Sequence, residues 1–481
     1  MKKDMERCQV VYGVLKTHIQ FGVYRFGDTL PTMENSTENF LVSLETIRSA
    51  YLQLQEEGYI TLSQNVGSTV IKKYSEQEIE QNIQLFFSLR KNALIDLSKS
   101  LRPLLGHAQW IGLKNAPAEI YSNMMELKEN HDLPPFIAFN HIMRAYESLG
   151  NDLLTRLLWQ VYMFLEAPFL CVNNSAWCEF TFNEFAPQSL ELCHRQDWES
   201  LRELIYRTQD FLSVSLCQFY EKRITLSAQK EIPFAWSSYK KASQICYSLA
   251  MDLLVEISLG RYPVNTKLPS LSELSKERNV SLSTVRRALS LLNGVGAVKS
   301  VKRVGTRVLS FQETAENCDF ANPTVRKRLL DMAQSLQILT LSCKTVSEIT
   351  ISKLDMKGLR EGMEFLSTIE SRQQYQLIAY DALELLRRSA PYQAIRDIYG
   401  ELLQQLFWGY GLRSLWKEND DLTDFYITYY QSFMKSLAKK DSLEFSQKLE
   451  ELMVHEFRLT IYKLIQLGIE EAERLLIPDL L

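Results

Sequence analysis

The sequence predicts a mainly α chain in which two winged helix-turn-helix domains alternate with two all-helical domains. Three observations carry that expectation. Residues 267–308 read as two short helices, a tight turn and a basic two-stranded hairpin. The same pattern stands 238 residues earlier in the chain, without a gap. The stretch after each copy lacks strand alternation and holds apolar residues at helical spacing.

Within the later copy, Ser270 and Glu273 have capping-box spacing, in which each side chain satisfies the other's free backbone N–H at a helix start. Arg278-Asn279 supplies the turn, since Asn adopts left-handed dihedrals cheaply. Ser281 is a natural N-cap for the second helix. That helix buries Val285, Ala288, Leu289 and Leu292, leaving Ser283, Thr284, Arg286 and Arg287 outside. Gly294 and Gly296 stop it, and Val298 and Val308 bracket the hairpin Lys302-Arg303-Val304-Gly305. In such a motif the second helix enters the major groove of DNA and the wing reaches backbone or minor groove.

The overlay places Gly22 on Gly260, Leu30-Pro31 on Leu268-Pro269 and Val42-Ser43 on Val280-Ser281. Thr46 falls on Thr284, Arg48 on Arg286, Gly58 on Gly296, Gly67 on Gly305 and Val70 on Val308. Turn glycines, a helix cap and core positions therefore coincide in one register. The shared pattern, G-x-Y…LP[ST]…VS…T-[IV]-R…L…G…G[ST]…V, resembles the DNA-binding domain of the GntR family of bacterial transcription regulators. The resemblance covers roughly 65 residues per copy. It implies DNA contacts by Ser281, Ser283, Thr284, Arg286, Arg287, Lys302, Arg303 and Arg307, and by Ser43, Thr46, Arg48, Gln64 and Asn65 in the first copy. The chain departs from the family at two of three usual arginines, where it carries Glu34 and Leu44, or Ser272 and Leu282. Ser36 stands where the family places an apolar core residue, and Phe40 one turn later is expected to compensate.

Charge separates the copies. Residues 246–311 hold ten Lys/Arg against four Asp/Glu, a net +6, whereas residues 8–73 hold five against six, a net −1. A basic face is the footprint of phosphate binding, so the second copy is the expected reader. The first copy is either a weaker reader, using Gln and Asn on base edges, or a mainly structural or protein-binding module.

At 481 residues and 46% hydrophobic content the chain holds several cores. The division expected is 1–74 and 233–311 for the winged helices, and 75–232 and 312–481 for helical domains. A helix from about Tyr239 to Leu259 enters the second copy. The segment Phe139 to Leu170 is the clearest helical run, with Ser148-Leu149-Gly150-Asn151-Asp152 as a junction, and Asp197 to Phe219 is a long helix. These resemble the ligand-binding domain of the FadR-like branch of the family. Many members of that branch bind a metal through an Asp and three His. Here Ile142 and Gln209 occupy His positions, and His107, His131, His141 and His194 share no ligand spacing, so no metal and no cofactor is expected. Ile378-Ala379-Tyr380 and Asp441 to Leu464 echo the first half in the same order. Phe407, Trp408, Tyr410, Trp416, Phe425, Tyr426, Tyr429 and Tyr430 fit a core, or alternatively a site for a small apolar or aromatic effector.

Eight cysteines without a C-x-x-C pair fit reduced thiols in a cytoplasmic protein. Trp159 to Cys171, the most apolar stretch, is interrupted by Glu166 and too short to span a bilayer, so no membrane partner is expected. Neither a Gly-rich phosphate loop nor a nucleophile elbow occurs, which argues against an enzyme. The expected function is a sequence-specific, double-stranded-DNA-binding transcription regulator, with the tandem heads forming an intrachain pseudo-dimer or the chain a homodimer. A ligand-responsive helical domain accompanies that reading. A non-enzymatic interaction protein is the alternative.

Overall fold

Helix α1 (Met5–Gln20) forms because Val11, Leu15 and Ile19 recur on one face, and all three are fully buried. The structure, a computed structural model, describes residues 5–63, 67–117, 134–172, 184–237, 245–258, 260–301, 304–372, 374–413 and 420–480. Trp416, His131, Gln64, Asn65, Lys302 and Arg303 lie outside the described residues. The chain divides into two compact units, Met1–Ser148 with Thr155–Ala235, and Trp236–Leu481 with Leu149–Leu154. Each unit holds one winged helix and one helical array, and the two β-hairpins are the only sheets among the described residues.

In the first unit, α2 (Met33–Phe40) and α3 (Leu44–Glu56) follow α1, then β1 (Ile60–Ser63) pairs with β2 (Gly67–Val70). In the second, α12 (Ile245–Ser258), α13 (Leu271–Glu277) and α14 (Leu282–Gly294) precede β3 (Val298–Val301) and β4 (Gly305–Val308). The numbers α4 to α11 belong to the helices between. The helix expected from about Tyr239 to Leu259 is described over Ile245–Ser258, and its two expected ends lie outside the described residues. The hairpins share a register, Ile60 facing Val70 and Val298 facing Val308. Each is extended by one bridge, Thr29 to Thr69 and Lys267 to Arg307. Left-handed residues also recur 238 apart: Leu41 (φ 50) with Asn279 (φ 48), and Gly27 (φ 90) with Asn265 (φ 67). Copy two thus uses Asn where copy one holds Leu41 in a region that branched and bulky L-residues avoid.

The first helical array comprises α4 (Glu76–Ser88), α5 (Lys91–Leu101), α6 (His107–Lys114), α7 (Pro134–Ala145), α8 (Asp152–Phe164), α9 (Glu166–Leu170), α10 (Ala186–Arg195) and α11 (Trp198–Arg223). The second comprises α15 (Phe311–Asn317), α16 (Pro323–Lys353), α17 (Met356–Arg372), α18 (Ile378–Ser389), α19 (Gln393–Leu406), α20 (Tyr410–Arg413), α21 (Asp420–Lys439) and α22 (Ser442–Gln466). Every residue from Met332 to Cys343 in α16 is buried. A helix covered on all sides is the centre of its domain, and α16 packs against both α19 and α22. The echo between arrays extends to their long helices. Asp197 caps α11 by accepting from Ser200 N at 3.2 Å, and Asp441 caps α22 by accepting from Glu444 N at 2.9 Å. Each is preceded by a left-handed residue, Gln196 or Lys440. The expected aromatic core is present: Trp408 is 0% exposed, and Phe407, Tyr410, Tyr426 and Tyr430 are buried.

Candidate nucleic-acid interface

The second winged helix is built from its caps inward. Ser270 accepts from Glu273 N at 3.3 Å while the Glu273 carboxylate accepts from Ser270 N at 2.7 Å, closing the capping box. Glu273 is held below the usual carboxylate range by its bonds from Ser270. Asn279 takes the left-handed turn, and Ser281 accepts from Thr284 N at 3.2 Å to start α14. Val285, Ala288, Leu289, Leu291 and Leu292 pin the inner face of α14. Its outer face carries Ser281, Leu282, Ser283, Arg286 and Arg287, all exposed, and Thr284, half-buried. Among the described residues neither Arg286 nor Arg287 has a hydrogen-bond or ion-pair partner. Two uncompensated guanidiniums one turn inside a helix N-terminus suit a phosphate or a guanine edge.

The other described arginines of this head are engaged. Arg278 bonds both oxygens of Glu256, at 2.9 and 2.7 Å, and lies 3.5 Å from Glu277. Arg261 also pairs with Glu256, at 2.6 Å. This cluster ties the end of α13 to α12, and the Arg278 guanidinium is held further toward its charged form by Glu256. Arg307, expected on the wing, is half-buried at the end of the hairpin. It donates to Asn265 and pairs with Glu313 at 3.0 Å. Its fork is spent on joining the wing to the start of α15, where Ser310 and Arg307 depress Glu313 to about 2.

Copy one replaces that charge cluster position by position. At a shift of 238, Glu256 corresponds to His18, Arg261 to Val23 and Arg278 to Phe40. His18 is fully buried, its two ring nitrogens have no hydrogen-bond partner among the described residues, and desolvation lowers it to about 4. Phe136 of α7 meets His18 at 5.8 Å and Phe40 at 5.0 Å between ring centroids. Trp159 of α8 donates its indole N–H to the Phe40 carbonyl at 2.8 Å. Phe40 therefore does not fill the place of Ser36, as the sequence suggested. Ser36 is 1% exposed and bonds the Tyr51 hydroxyl at 2.8 Å, while Phe40 packs against the helical array. The exposed outer face of α3 carries Ser43, Leu44, Glu45 and Arg48. Arg48, like Arg286, has no partner among the described residues. Thr46 is corrected: it is 0% exposed, its hydroxyl bonds Ser43 at 2.8 Å, and it serves the helix cap rather than an outer surface.

A second feature lies in the first helical array, a cavity of about 90 Å³. Ile137, Ala138 and Ile142 of α7 and Leu158, Val161 and Tyr162 of α8 form much of its wall. Glu166 and Gln209 also line it. Ile142 and Gln209, the positions that the resemblance gives to metal-binding His, are thus walls of an apolar cavity. Among the described residues no three His, Cys, Asp or Glu side chains converge as a metal requires. Glu166 is 9% exposed, and burial pushes its carboxyl up to about 8. The sequence signal was available: Glu166 is the one charge within the most apolar stretch of the chain.

Residues 8–70 and 248–308 each match the family model of bacterial regulatory proteins, gntR family. No curated protein matches the chain. Among solved structures, it is similar to a GntR from Streptococcus agalactiae at 17% identity, covering 44% of this chain and 99% of that one, with a TM-score of 0.23. It is similar to a GntR from Rhodococcus sp. RHA1 at 14% identity, 46% and 99% coverage and a TM-score of 0.27. The E. coli protein McbR/YncC gives 15% identity, 46% and 98% coverage and a TM-score of 0.25.

Proposed function

We propose that this chain, whose residues 8–70 and 248–308 match the family model of bacterial regulatory proteins, gntR family, is a ligand-responsive transcription regulator that reads DNA chiefly with its second head. Regulators of this family are DNA-binding transcription factors. The observation that carries the finer reading is the outer face of α14, where Arg286 and Arg287 stand exposed and unpaired among the described residues in a head of net charge +6. On this reading Ser281 and Ser283 receive a phosphate at the helix start, and Arg286 and Arg287 divide base and backbone contact. Lys302 and Arg303 belong to the wing, and Ser43, Arg48, Gln64 and Asn65 make a weaker second contact.

Responsiveness to a ligand is supported by the helices that wall the cavity. Residues of α7 and α8 line it, while Phe136 and Trp159 on those same helices hold Phe40 and His18 of the first head. A change in the cavity has a short packed route to that head. The tandem heads suit an intrachain pseudo-dimer on an asymmetric operator, with the four-part division read from the sequence. No described helix is long and apolar enough to cross a membrane.

The test is selection of bound sequences from a random DNA pool with the whole chain, followed by sedimentation of the complex. Two unlike half-sites about one helical turn apart, bound by one chain, are expected. Recovery of no sequence preference would overturn the reading. One chain per site with a single half-site would remove the pseudo-dimer only.

A further inference from the structure

The cavity of the first unit combines an apolar wall with an unmatched set of hydrogen-bond acceptors. Several polar groups lining it are satisfied within the protein, while His141, which also lines it, has a buried Nε2 with no hydrogen-bond partner among the described residues. The Tyr146 hydroxyl donates to the Leu105 carbonyl at 3.2 Å, the Thr208 hydroxyl to Leu204 at 2.7 Å, and Tyr162 to the Pro135 carbonyl. The Gln209 amide nitrogen donates to Gln109 Oε1 at 2.9 Å. That bond leaves Gln209 Oε1 buried without a partner among the described residues. The Glu166 carboxyl, nine-tenths buried, also has none. A buried acceptor left unmade costs roughly 1–3 kcal/mol, more when charged, so this pair favours a molecule that brings donors. The described residues lining the cavity include His141 but no Lys or Arg. Burial alone keeps the Glu166 carboxyl protonated up to about pH 8; an ammonium group beside it would favour the ionised form, whereas an anionic ligand would disfavour it.

We propose that this cavity binds a small apolar primary amine, its ammonium group donating to the Glu166 carboxylate and to Gln209 Oε1. This rests on the ligand-responsive reading above and names the class of ligand. The alkyl part lies against Ala138, Ile142, Leu158 and Val161, and its size is set by the volume. An apolar cavity of about 150 Å³ accepts benzene, so about 90 Å³ suits a branched chain of about four carbons. The assignment departs from the Asp-and-three-His metal site of the FadR-like branch, because Ile142 and Gln209 stand where a metal would need ligands, while Glu166 adds a buried acidic group.

The test uses the full chain and three probes of one shape, isobutylamine, isobutanol and isobutyrate, with affinities measured by ligand-observed NMR at pH 8. Isobutylamine is expected to bind at least tenfold more tightly than either of the others. Glu166→Gln, which keeps the shape and removes the charge, is expected to weaken amine binding at least tenfold while leaving isobutanol unchanged. Ala138→Phe, which fills the cavity, is expected to abolish binding of all three. Isobutyrate or isobutanol binding as well as the amine, amine affinity unchanged in both variants, or no amine binding up to 50 mM would each overturn the assignment. The same preparations are tested for gel shift on selected DNA without amine. Retained DNA binding there separates failure of this proposal from failure of the regulator reading.

Discussion

Replacing both free arginines of α14, Arg286→Ala with Arg287→Ala, is the perturbation that bears most directly on DNA reading. Both side chains are exposed and unpaired among the described residues, so removing them breaks no internal contact, and stability should stay within about 0.5 kcal/mol. Each phosphate contact adds about 0.9 to the slope of log affinity against log salt. Losing the one of the two that holds a phosphate flattens the slope by about 0.9, so the fourfold rise from 50 to 200 mM salt should cost the variant roughly 3.5-fold less than the parent. If one of the two reads a guanine edge, about 1–3 kcal/mol of discrimination is lost at that position, roughly 5- to 150-fold. Arg278→Met is the internal control. Its guanidinium sits on Glu256 at 21% side-chain exposure against 16% for the carboxylate. Its removal should cost about 1–2 kcal/mol of stability, between the exposed and the buried cases, while affinity well below the melting temperature holds within about twofold. Fluorescence anisotropy on a selected site across a salt series, with denaturant unfolding of each variant, measures both quantities. An unchanged salt slope in the double variant, or equal loss of affinity in Arg278→Met, would refute the division of the arginines into reading and structural sets.

Three further outcomes follow from the same geometry. His18 is neutral when folded until about pH 4, whereas an unfolded His binds its proton near pH 6.5. The unfolded state therefore holds the extra proton between those values, so stability is full above pH 6.5 and falls toward pH 4 by up to about 3 kcal/mol. Denaturant unfolding at pH 7.5 and 5 should show that acid loss in the parent and much less of it in His18→Leu. Gly58 and Gly296 share φ +75, but a Cβ on Gly58 meets nothing within 4 Å, while one on Gly296 would lie 2.4 Å from the Thr314 carbonyl oxygen. Gly58→Ala should cost about 1–2 kcal/mol from the left-handed conformation alone, and Gly296→Ala clearly more, as read by thermal unfolding of the two variants side by side. Adding the family's missing cation with Leu282→Arg, at a residue already 43% exposed, should tighten DNA binding with no preference among sequences and steepen the salt slope by about 0.9.

The sequence by itself determined the duplication, the two winged helices and, Thr46 excepted, which residues stand on the outer face of α3 and α14. Those features are local: caps, turn glycines and the spacing of Val285, Ala288, Leu289 and Leu292 follow from bonds and contacts within a few residues. The helical arrays were legible as helices for the same reason, and the segments read from Asp197 and from Asp441 begin at the residues that cap α11 and α22. Tertiary structure alone decided which charges are free. Arg278, Arg286 and Arg307 read alike in a charge count, yet Arg278 is claimed by Glu256, 22 residues away, and Arg307 by Asn265, 42 residues away. It also decided what Phe40 does, because its neighbours Phe136 and Trp159 lie about a hundred residues along the chain. The cavity belongs to the same class: Glu166 and Gln209 come from separate helices, and burial, which sets the chemistry of both, is a property of the packed chain that no spacing encodes.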